Sequence, residues 1–135
     1  MEKPSRTIDG THFDTLEGFF LAFQDSVLDG AQWGSNLDAF NDVLRGGFGS
    51  PDGGFILIWK NHATSQERLG FKETVRQLER RLTGCHPANT QRVLSDLENA
   101  KSGVGTTVYD WLLEILRCHG PGGNEEEDGI DLVLA

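Results

Sequence analysis

The stretch Phe55-Ile56-Leu57-Ile58-Trp59 decides the fold. All five residues are apolar, most are β-branched or aromatic, and no polar face interrupts them. A run of this kind is a strand buried on both faces, the usual state of a central strand in a parallel sheet. The sequence on either side of it reads as helix. Upstream, Leu16, Phe19, Phe20, Phe23 and Val27 recur at helical spacing behind Asp14 or Thr15, either of which can cap, so the spacing predicts a helix over 15–28. A second helix starts after Ser35 or Asn36, carries the stripe Leu37, Phe40, Val43 and Leu44, and ends at Gly46-Gly47. Downstream, amphipathic periodicity predicts helices over 71–82, 90–101 and 107–117, with a shorter one over 65–69. Pro87 and the pair Gly103 and Gly105 supply the breaks. Thr7-Ile8-Asp9-Gly10 reads as a first strand ending in a turn, and Ile130–Leu134 as the last strand. Helices between successive strands require crossover connections, and crossovers give parallel pairing. The expected architecture is α/β, a three-stranded parallel sheet with helices packed on it, in one domain over residues 1–135.

A chain of 135 residues suits one domain and is short for two. No apolar run approaches membrane-spanning length. Met1-Glu2-Lys3-Pro4 leads into polar sequence with no apolar core for a secretory signal. Cys85 and Cys118 are too few for a disulfide scaffold. These features set the expectation of a soluble, cytoplasmic protein with reduced thiols. Twelve Lys and Arg stand against 21 Asp and Glu, a net charge of −9. That balance argues against binding a nucleic-acid backbone and favours a basic protein as partner. The charge is also unevenly placed. From Thr7 through Leu44 there are seven carboxylates and no Lys or Arg, whereas residues 55–106 hold five acids and eight bases.

Catalytic and metal chemistry find little support. Adjacent residues seldom reach one metal, so Cys85-His86 and Cys118-His119 are read as structural cysteines and helix-terminal histidines, not as zinc ligands. His119, close to a helix C-terminus, gains from the dipole when protonated. The glycine-rich segment from Gly46 to Gly54 precedes a strand instead of opening a helix and has no Walker or dinucleotide pattern, so it is read as a connection. Nothing resembles a nucleophile elbow, and no catalytic residue, cofactor or metal is expected. The run Glu125–Asp128, in an acidic glycine-rich loop over 120–129, reads as solvated. Asp38 and Asp42 are different. They lie one turn apart on one face of the second helix, where a like-charged pair costs about 0.2–0.5 kcal/mol. Arg45, three residues beyond Asp42, can neutralise part of that cost. Asn41 shares the polar side, and Trp33-Gly34 lies in the loop feeding the helix. An aromatic beside two carboxylates has the composition of an interface anchor. The alternative for Trp33 is that it folds back into the core.

The run Trp33-Gly34-Ser35-Asn36-Leu37-Asp38-Ala39-Phe40-Asn41-Asp42-Val43-Leu44 resembles the inhibitory segment of the barstar family, intracellular inhibitors of barnase-type ribonucleases. Ile8-Asp9-Gly10 is similar to that family's first strand and turn, Phe55–Lys60 to its middle strand, and Ile130–Leu134 to its last. The resemblance implies a protein that plugs the basic active site of a secreted guanyl-specific ribonuclease. It implies partner contacts from Trp33, Gly34, Asn36, Asp38, Asn41 and Asp42, with Glu114 on the last helix as a further one. Gln32 and Asn41 depart from the pattern, standing where barstar has aromatic residues. Residues 70–105 have no equivalent in barstar and read as an inserted helical segment. The alternative is a non-catalytic adaptor of the same fold that binds a different basic protein.

Overall fold

The computed structural model describes residues 3–28, 33, 36–46, 53–84 and 86–135. In chain order the elements are β1 (Ser5–Asp9), α1 (Leu16–Val27), α2 (Leu37–Val43), β2 (Phe55–Lys60), α3 (His62–Arg68), α4 (Phe71–Gly84), α5 (Thr90–Lys101), α6 (Val108–Cys118) and β3 (Ile130–Leu134). Single 3-10 turns lie at Gly10–His12, Pro87–Asn89 and Glu126–Asp128. The strands form one sheet in the order β1-β2-β3, and both pairings are parallel. Ile8 lies opposite Trp59, and Phe55 opposite Ile130.

The apolar run is thus the central strand, with one correction. Phe55, Leu57 and Trp59 are buried, but Ile56 and Ile58 are only half-buried, so one face takes the core and the other is partly covered. On the covered face, α1 contributes Phe19, Phe20 and Phe23, α2 contributes Phe40 and Val43, and α6 contributes Leu112 and Leu116. Phe19 sits at the centre, with ring centroids 5.2 Å from Trp59 and 5.4 Å from Phe40. The Trp59 indole N–H needs a partner at that depth and donates to Ser65 Oγ at 2.9 Å. Gly10 lets the turn after β1 close on α3. A Cβ there would stand 2.3 Å from Ser65 Oγ and 2.4 Å from the Asn61 carbonyl oxygen.

Two neighbouring buried residues of α4 complete other helices. Glu73 Oε2 accepts from Leu16 N–H, the first residue of α1, at 2.8 Å. Thr74 Oγ1 accepts from Val108 N–H, the first residue of α6, at 2.9 Å. Each thereby satisfies a donor that a helix start leaves without an internal acceptor. Burial pushes the Glu73 carboxyl up, but hydrogen bonds from Arg76, Leu16 N–H and Gln77 outweigh it and hold the group below its ordinary value. Glu17 of α1 takes further bonds from Arg76, Gln77 and Arg80. Beyond α4, Leu78, Val93, Leu97 and Ala100 build a second, smaller core between α4 and α5, and Trp111 of α6 packs against it.

Candidate functional site

Asn36 caps α2, its Oδ1 accepting from Ala39 N–H at 2.8 Å. Of the two caps the sequence allowed, Ser35 lies outside the described residues. With Phe40 and Val43 turned into the core, the helix presents Asp38 and Asp42 to solvent. Asp38 lies in the first turn, where the helix dipole favours a carboxylate, and has no ion-pair partner among the described residues. Asp42 is paired with Arg45, whose Nη1 donates to Asp42 Oδ1 at 2.8 Å. Arg45 also reaches across the fold, through Nε at 2.9 Å and Nη2 at 2.8 Å, to Glu125 Oε1. The hydrogen bond that Arg45 donates to Glu125 is the largest influence on its guanidinium and raises the Arg45 pKa. The guanidinium therefore lies between a carboxylate of α2 and one of the acidic loop.

The acidic run is not uniformly solvated, contrary to the sequence reading. Glu126 and Glu127 are exposed, but Glu125 and Asp128 are half-buried and engaged. His119, the C-terminal cap of α6, is wholly buried. Its Nδ1 lies 2.6 Å from Asp128 Oδ2 and its Nε2 lies 2.7 Å from Asn41 Oδ1. Asn41 thus turns its amide inward and fastens α2 to the end of α6. The potential ligand atoms of His119, Glu125 and Asp128 lie within 4.8 Å of one another. Asp128 and Asn41 already engage the two ring nitrogens and Arg45 holds Glu125, so the cluster acts as a hydrogen-bonded joint behind α2. Its separation of 78 residues hides it from local sequence patterns.

The remaining expected contacts fall in different places. Trp33 is half-buried, with its ring edge-on to Phe20 at 5.1 Å and near Phe23 and Phe40, which is the folded-back alternative. Its indole N–H is buried and has no hydrogen-bond partner among the described residues. Gly34 lies outside the described residues, as do Gln32 and Cys85. Glu114 is exposed on α6 and borders a cleft of about 690 Å³ with Gly122, Gly123 and Asn124. No hydrogen bond or ion pair among the described residues links it to α2. Cys118 carries a free thiol.

An acidic helix face, backed by core and fastened by a buried joint, sits in a parallel three-stranded α/β frame. A family model described as barstar (barnase inhibitor) matches residues 4–86, from β1 through the end of α4. The chain belongs to the barstar family. That family is one of inhibitors and not of catalysts. Within the barstar match lie β1, α1, α2, β2, α3 and α4. Of the segment over 70–105 read as an insert, only α5 and its flanks fall beyond it. A comparison with curated proteins finds no match. No helix among the described residues is long and apolar enough to cross a membrane.

Proposed function

We propose that the chain is a cytoplasmic inhibitor that binds and blocks the basic active site of a barnase-type ribonuclease through α2 and the loop before it. The observation that carries this reading is the pair Asp38 and Asp42, one turn apart on the exposed face of the helix that the family match includes. A ribonuclease binds the phosphates of RNA with Lys, Arg and His. Carboxylates set where the phosphates would lie are complementary to the same cations, and an arginine can meet each of them through two parallel bonds. The net charge of −9 draws such a partner in. Barnase and barstar are themselves the reference case for charge-steered association. Asn36 and Asn41 serve this face by capping and fastening the helix, and Trp33 serves it by packing beneath it.

The test is titration of a secreted guanyl-specific ribonuclease with the chain, read as loss of RNA cleavage at one-to-one stoichiometry. Full activity across a panel of such enzymes would replace this reading with that of an adaptor for another basic protein. The inward turn of Trp33 and Asn41 favours that second reading, because it removes two side chains from the area available to a partner.

A further inference from the structure

Beside the start of α2 lies a cleft of about 390 Å³, walled by α2, α4, α5, the α5–α6 connection and α6. Leu37, between the capping Asn36 and Asp38, forms its α2 wall. Leu78, Val104 and Trp111 make further apolar lining, and Val104 is 56% exposed. Two cations, Arg81 and Arg92, line the same cleft. Arg81 lies over the Trp111 ring at 5.4 Å, and neither arginine has a carboxylate partner among the described residues. Asp96 also lines the cleft, one turn beyond Arg92, without forming an ion pair to it.

From this juxtaposition we infer that the cleft is a second contact site for the same partner, receiving an apolar loop that carries a carboxylate. The inference rests on the ribonuclease reading and adds a requirement to it. The partner must present cations to Asp38 and Asp42 and, next to them, an acidic side chain to Arg81 and Arg92. A purely acidic face would attract every cationic protein. A negative patch flanked by a positive, partly apolar cleft accepts only a surface with the matching alternation of sign, and a mismatch leaves a desolvated charge without a partner. The cleft and the acidic helix meet at Leu37, so one partner surface can cover both. Of the eight bases within residues 55–106, Arg81 and Arg92 are the two that line this cleft.

Arg92→Glu separates this idea from simple steering. Arg92 is exposed and in the first turn of α5, where an acidic residue suits the helix dipole, so the variant is expected to fold. It also makes the chain more negative, which by steering alone would speed association with a cationic enzyme. The cleft predicts the opposite sign, a weakening of about ten-fold or more in the inhibition constant for a ribonuclease that the native chain inhibits. Lys72→Glu, an equal charge reversal on α4 away from the cleft, is the control and is expected to leave inhibition unchanged or tighten it. Unaltered or tighter inhibition by Arg92→Glu, with Asp42→Ala still damaging, would overturn the second site and leave the inhibitor reading standing. If no ribonuclease of the panel is inhibited by the native chain, both fall together.

Discussion

Glu73 on α4 and Asp42 on α2 each have an arginine three residues further along, and each is hydrogen-bonded to it. Their surroundings differ. Glu73 is 5% exposed and also accepts from Leu16 N–H and Gln77, whereas the Asp42 side chain is 58% exposed and depends on Arg45. A buried carboxylate with several donors has become part of the framework, and removing it strands those donors. An exposed one paired to a surface arginine contributes little to folding, because water screens the pair almost as well. The same chemistry thus separates the part of the molecule that holds the fold from the exposed face that the proposed function assigns to a partner.

The largest expected effect tests the first half of that contrast. Glu73→Ala should destabilise the chain by about 2–3 kcal/mol, the usual cost of taking a charged acceptor from a buried donor, here Leu16 N–H, while Arg76 keeps Glu17 and water. The loss would show in the midpoint of urea unfolding. The effect also has a pH signature. The Glu73 carboxyl is held below its ordinary value in the folded chain, so its contribution is fully present above about pH 4.3 and is lost as pH falls through the folded-state value. Glu73→Gln should accordingly flatten the acid limb of the stability curve. An unchanged acid limb would show that Glu73 is not held as its partners imply.

Second comes the half that we propose faces the partner. Asp42→Ala should leave the unfolding free energy within about 0.5 kcal/mol of that of the native chain. It should weaken inhibition by roughly 2 kcal/mol or more, about thirty-fold. Asp38→Ala should weaken inhibition too, with a small stability loss from its first-turn position. A destabilised Asp42→Ala variant that inhibits as well as the native chain would reverse the contrast and remove α2 from the binding face.

Much of this frame was legible because the signals are local. The period of Leu16, Phe19, Phe20 and Phe23, the cap before Leu37 and the apolar run at 55–59 each depend on residues within a few positions of one another. Asp38 and Asp42 were legible for the same reason, since a helix puts residues four apart on one face. What escaped was held by long-range contacts. Nothing near Glu73 announces that its carboxylate will cap a helix 57 residues earlier. Nothing near Asn41 or Asp128 announces that both will meet His119. The four-acid run looked solvated by composition, and only the return of the chain past α6 brings Glu125 to Arg45 and Asp128 under the helix end.

The smallest expected effect falls on Arg45, where the two regions meet. In the free chain Arg45 already holds Asp42, so an arriving cation must share or displace it. Once the partner is seated, Arg45 is a like charge beside the cations of the partner site. Both considerations make Arg45 an opponent of binding. Against them stands its hold on Glu125, which ties the acidic loop to α2. Exposed pairs of this kind are worth about 0–1 kcal/mol, so Arg45→Ala should cost little stability. It should speed association a few-fold at low salt, and the gain should shrink as ionic strength shortens the Debye length to roughly 10 Å at 0.1 M. Stopped-flow mixing with an inhibited ribonuclease at two salt concentrations reads this directly. Slower association for Arg45→Ala at both would mean that the arginine holds Asp42 in the orientation the partner needs. The exposed carboxylate would then depend on its neighbour as Glu73 depends on Arg76.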